Sequence, residues 1–85
     1  MKPGRIPCEV PFCRRTAKRE PQDEPDTRII CGGHWRFGDA RPRRVYSRAR
    51  RKYKRTGDPR YRAIMNRCWE RVRKQAIERS AGVSA

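Results

Sequence analysis

The chain has 85 residues, 34% of them hydrophobic and 39% charged, with a net charge of +15 from 24 Lys and Arg against 9 Asp and Glu. That length admits one domain, and so polar a chain has little apolar material for a core, which makes a stabilising metal an economical solution. No apolar run approaches the ~20 residues of a membrane span, and no signal-peptide core opens the sequence; we therefore expect an intracellular protein, cytoplasmic or nucleoid-associated, whose reduced cysteines favour metal over disulfides.

In chain order, residues 1–7 hold Pro3, Gly4 and Pro7 and read as extended. Cys8 and Cys13 follow, with Pro11 between them where the backbone must turn. Residues 20–26 form an acidic loop broken by Pro21 and Pro25, which excludes a continuous helix. Thr27–Ile30 is short and β-prone, and leads into Cys31-Gly32-Gly33-His34.

Asp39 can cap a first helix over about 40–55, with Pro42 tolerated in its first turn. Val45, Tyr46, Ala49 and Tyr53 share one face of it. Gly57, Asp58 and Pro59 suit, in order, a left-handed helix end, an N-cap and a first helical turn. A second helix over about 59–79 then carries the apolar stripe Tyr61, Ile64, Met65, Cys68, Trp69, Val72 and Ala76, with Glu70–Lys74 and Lys74–Glu78 as candidate i,i+4 pairs. Residues 80–85 read as a frayed tail.

Cys8-x4-Cys13 and Cys31-x2-His34 are two ligand pairs joined by a loop. Zinc prefers four thiolate or imidazole ligands in a tetrahedron, and two close pairs are an ordinary way to supply them. All four ligands come from the chain, so one closed, structural Zn²⁺ is expected rather than a catalytic ion. The competing reading, ordinary buried thiols or a disulfide, suits neither a reducing compartment nor this pairing. Cys68 falls on the second helix's apolar stripe and reads as a small buried hydrophobe rather than a ligand.

The charge is uneven. Residues 1–35 are nearly balanced, whereas Arg41 to Arg55 hold nine bases and no acid. Arg44, Arg48, Arg51 and Arg55 form one stripe opposite the first helix's apolar face, flanked by Arg43, Arg50, Lys52 and Lys54, and Arg41 joins the expected nucleic-acid contacts. Arg67, Arg71 and Lys74 form a shorter ridge on the second helix. A solvated face is the bland reading of any charge run. Uncompensated repulsion of this density instead points to a polyanion, and Arg suits phosphate and guanine edges. Trp35, Phe37, Tyr46, Tyr53 and Trp69 can stack on bases, although a place in a small core is the commoner use.

The run Cys8…Cys13-Arg14-Arg15, then Ile30-Cys31-Gly32-Gly33-His34-Trp35-Arg36, with Arg55-Thr56-Gly57-Asp58-Pro59 downstream, resembles a small treble-clef-like zinc-finger module of phage and prophage proteins, often found beside HNH endonucleases. The resemblance covers residues 8–59 and implies that Cys8, Cys13, Cys31 and His34 hold zinc and that the module serves DNA binding. The acidic loop lengthens the spacer of that pattern, and Gly38-Asp39 shortens the helix it would begin at the second ligand pair. Nuclease chemistry does not carry over, because the one His is committed to the structural site.

Together these elements predict a small α+β zinc-stabilised domain. A zinc-finger module over 1–38, with a short β segment, precedes a basic two-helix antiparallel hairpin over 39–79. The expected function is nucleic-acid binding by a non-enzymatic accessory or regulatory factor, DNA favoured over RNA, with no membrane or small-molecule substrate. An RNA- or ribosome-associated role is the alternative, as is a protein-interaction factor docking through the second helix.

Overall fold

The computed structural model describes residues 4–21 and 27–80, so the centre of the acidic loop and residues 81–85 of the expected tail lie outside the described residues. Among the described residues, two strands and three helices follow in order: β1 Arg5–Pro7, β2 Thr16–Lys18, α1 Gly32–Trp35, α2 Ala40–Thr56 and α3 Pro59–Ser80. This is a small α+β arrangement, and no helix among the described residues is long and apolar enough to cross a membrane.

The extended start of the chain becomes β1 by pairing antiparallel with β2, Ile6 opposite Ala17. Ile6 is buried, so even this short ribbon has an inner face. The ribbon continues past its formal ends: the Cys8 amide donates to Arg15 O at 3.0 Å. A tight turn separates the strands, closed by the Cys13 amide on Val10 O at 3.1 Å. The β-prone segment Thr27–Ile30 is not a strand. Ile29 alone makes a parallel bridge with Cys8, and the Glu9 amide donates to Ile29 O at 2.9 Å. Thr16–Lys18 takes the pairing position instead, because the turn after Cys8 returns it directly alongside β1.

α2 begins after Asp39, whose backbone is extended as an N-cap requires, but its side chain makes no capping bond. Its carboxylate accepts from Arg79 Nη2 at 3.0 Å and Gln75 Nε2 at 3.0 Å. Arg79 and Gln75 together draw the carboxylate toward α3, so it makes no bond to the amides of α2's first turn. At the other end Gly57 takes φ 69, and its amide donates to Tyr53 O. Only glycine adopts that conformation without a steric cost. Asp58 does cap α3, accepting from the Arg60 amide at 2.9 Å.

Asp39 touches Gln75 and Arg79, and Lys52 lies over the Tyr61 ring. The start of α2 therefore sits beside the end of α3, and the end of α2 beside the start of α3. Ala49 of α2 and Val72 and Ala76 of α3 are buried, while Tyr61, Ile64, Met65, Cys68 and Trp69 are half-buried. Gly38 is also buried: a Cβ there would meet Val72 Cγ1 at 2.6 Å, so the chain between α1 and α2 lies directly on α3. Glu70 pairs with Arg28 and Arg73 rather than with Lys74, because Arg73 and the loop residue Arg28 reach it first. Arg73 also bonds Glu9 at 3.1 Å, so one ionic group ties β1's exit, the residue 28 loop and α3 together. Each such exposed pair contributes little alone; a shared network does more.

Candidate metal centre and basic face

Cys8, Cys13, Cys31 and His34 come together, their ligand atoms all within 4.8 Å of one another. Cys8 leaves β1 and Cys13 ends the tight turn that follows, so the first pair is set by that turn. Phe12, immediately before Cys13, takes φ 67 and is fully exposed, a left-handed conformation that costs a non-glycine residue about 1–2 kcal/mol. Cys31 sits just before α1 and His34 within it, so one helical turn places the second pair on the same side.

Cys13 Sγ lies 3.9 Å from Cys31 Sγ; His34 Nδ1 is 3.8 Å from Cys8 Sγ and 3.1 Å from Cys31 Sγ. Bonds of 2.3 Å to a tetrahedral ion place sulfur atoms about 3.8 Å apart. The four groups thus have the size of a single-ion site and can hold one metal ion. Cys8 is buried and the other three are half-buried.

Burial pushes the Cys8 thiol up, opposed by the amides of Cys31 and Val10, of which the Cys31 amide lies 3.3 Å from the sulfur. Burial also raises Cys31, but hydrogen bonds from the His34 backbone and side chain, with those of Cys13 and Cys8, outweigh it and bring the thiol down to about 7. A thiol that ionises near neutrality is a ready metal ligand.

The site is part of the core. Cys8 and Val10 pack with Ala76 of α3, and Cys13, Ile30, Cys31 and Ile77 close around them. Cys68 stays half-buried on α3, a free thiol outside the four-residue group.

The basic residues divide by position. Arg41, Arg44, Arg48, Arg51 and Arg55 of α2 and Arg67, Arg71 and Lys74 of α3 are exposed. Arg43 is half-buried and donates from Nε to Gly38 O at 3.0 Å. Arg43, Arg44, Arg48 and Arg51 converge, with Ser47 and Trp35, on a shallow hollow of about 300 Å³. Arg41, Arg55 and the α3 ridge do not line it. Trp35 stands in a T-shaped pair with Tyr46 of α2, centroids 5.1 Å apart. Trp69 is engaged elsewhere, with the Arg28 guanidinium 4.7 Å from its ring centroid. Ser47 and the hollow itself were not apparent from the chain order, although its place between Arg44 and Arg48 on one helical face was a usable signal.

Compared with protein-family models, curated proteins and solved structures, the chain matches none.

Proposed function

We propose that this chain is a zinc-stabilised nucleic-acid-binding protein, with DNA the favoured partner, acting as a non-enzymatic accessory or regulatory factor. Three thiols and an imidazole form the soft, borderline set that favours Zn²⁺ over hard cations. With the four positions filled by protein, the ion's role is structural. We also read the fold as treble-clef-like. The first ligand pair flanks the turn of a β ribbon, the second stands at the start of a short helix, and α2 and α3 then form an antiparallel hairpin.

The observation that carries the functional reading is the outer face of α2. Nine bases and no acid occupy Arg41 to Arg55, and Arg44, Arg48 and Arg51 make no ion pair among the described residues. Three acids of α3 and its neighbours are already taken, Asp39 by Arg79, Asp58 by Arg60, and Glu70 by Arg28 and Arg73, and none of the ion pairs among the described residues reaches α2's outer arginines. Mutual repulsion along α2 is thus left for an external polyanion to relieve, and phosphates do so while releasing counterions.

Fluorescence anisotropy with duplex DNA across a salt series tests this. Five phosphate contacts would give a slope of log affinity on log salt of about −4.5. Dissociation constants above ~10⁻⁴ M at low salt would refute it, since even non-specific binding is usually tighter. Competition with structured RNA separates the DNA reading from an RNA-associated one.

A further inference from the structure

We infer that the hollow between α1 and α2 is a subsite for an unpaired nucleotide, its base lying against Trp35 and its phosphates on Arg44, Arg48 and Arg51. The inference rests on the nucleic-acid reading above and specifies its substrate: a strand with exposed bases rather than a uniform duplex.

Four arginines, a serine and one indole border the same hollow of about 300 Å³, the lower end of the size range of small-ligand sites. Arg44, Arg48 and Arg51 follow i,i+4,i+7 spacing, which aligns them along one side of α2. A straight row of guanidiniums suits successive phosphates of one strand. Phosphates alone would need no aromatic wall. A base does: its flat, apolar face gains most from a ring, and single-strand binders combine a cationic track with such rings.

The wall and one edge of the hollow, at Arg43, are held in place. Tyr46 braces the indole, and the Gly38 carbonyl fixes the Arg43 Nε, with Gly38 pressed against buried Val72. Ser47 adds a hydroxyl, a donor and acceptor for a base edge or phosphate. A duplex keeps its bases stacked inside and can use the arginine row but not the wall.

The test compares labelled strands of equal length and phosphate number: oligothymidylate, oligouridylate, an abasic deoxyribose-phosphate strand, and a blunt duplex. The protein carries Trp69→Phe, which leaves Trp35 as its one tryptophan. One stacked base should make a base-bearing strand bind about 5- to 150-fold tighter than the abasic strand. Trp35 fluorescence should be quenched on saturation by it and not by the abasic strand. Whether thymidylate or uridylate is preferred separates DNA from RNA as the source, and either one binding tighter than the abasic strand supports the subsite. Trp35→Leu, checked for retained metal content and thermal transition, should bring the base-bearing and abasic strands to within about 2-fold; if that variant does not fold, the quenching measurement decides alone. Equal affinity for base-bearing and abasic strands, with unquenched Trp35, overturns the subsite while leaving the nucleic-acid reading intact. Failure to bind any of the four probes overturns both.

Discussion

Replacing Gly38 with alanine would place a methyl carbon 2.6 Å from Val72 Cγ1, 3.1 Å from Cγ2 and 3.2 Å from Cβ. Carbon atoms in favourable contact stand about 3.5–4.0 Å apart, so Val72 must retreat by about 1 Å or the 38–39 segment must lift. Neither is easy. Val72 is fully buried and β-branched, so its χ1 is confined to one helical rotamer that cannot swing away. The segment is fastened by the Arg43 Nε bond to Gly38 O and by the Asp39 bonds to Gln75 and Arg79. Overpacking of this kind costs about 1–3 kcal/mol. A domain of this size loses about 4–8 °C in Tm per kcal/mol, so Gly38→Ala should melt roughly 5–20 °C below the parent by circular dichroism. Val72→Ala removes the two methyls that collide. In a double-mutant cycle, Gly38→Ala should therefore cost less on the Val72→Ala background than alone, with a coupling of about 0.5–3 kcal/mol. A Gly38→Ala protein melting within 2 °C of the parent, or two strictly additive substitutions, would refute the close approach.

Three further outcomes follow from the same contacts. Chelation, or Cys31→Ser, should abolish the cooperative melt of the N-terminal half, because structural zinc supplies apparent binding energies of about 10–16 kcal/mol in small fingers and the ligands here are themselves core; native mass spectrometry and near-UV dichroism report the two effects together. Cys68→Ser should leave the metal stoichiometry unchanged by native mass spectrometry, since Cys68 stands outside the four-residue group. Arg79, then Gln75 and the charge of Arg71, hold the Asp39 carboxyl below the usual carboxylate range; a depressed folded value stabilises above the unfolded value and is lost as pH falls through the folded one. Acid titration should therefore weaken the parent relative to Asp39→Asn below about pH 4, while above it the parent is the more stable, read as the Tm difference across pH.

The parts of the molecule legible from sequence are those fixed over a few residues. Cys8 with Cys13, and Cys31 with His34, are each set by one turn of backbone, and soft ligands have a narrow range of uses. Gly57, Asp58 and Pro59 announce a helix end and a helix start because each residue's own torsional and hydrogen-bonding chemistry decides the matter. What was not legible depends on long-range partners. Thr16–Lys18 has no apolar alternation, and becomes a strand because the ligand turn delivers it to β1. Asp39 has the chemistry of a cap and meets Arg79 forty residues away. Gly38 looks like a helix breaker, and the structure gives it a second use as the point where the backbone touches Val72. The docking of α3 on the ligand turns, through Ala76 and Ile77, likewise leaves no periodic trace beyond an apolar stripe.

α1 joins the two sites. In four residues it carries His34, facing the thiols, and Trp35, facing the arginine hollow. So short a helix has no stability of its own, because helix nucleation outweighs the few bonds it makes. Its geometry is set by what holds its ends: the Trp35 amide on Cys31 O at 2.9 Å, and the ligand cluster around Cys31 and His34. An ion bound by those two residues would therefore also set the direction of the indole. On the functional reading proposed, metal and nucleotide are then linked ligands, each strengthening the other by the same factor. Metal-depleted protein should retain the salt-sensitive attraction of the α2 arginines for phosphate, because an exposed basic helix needs no fixed indole for that. It should lose the preference for a base-bearing over an abasic strand. The reciprocal measurement is the stronger one: saturating oligothymidylate should raise the metal affinity measured at equilibrium against a competing chelator, and the abasic strand should not. Identical metal affinities with both strands would show that α1 does not transmit the state of the metal centre to the hollow.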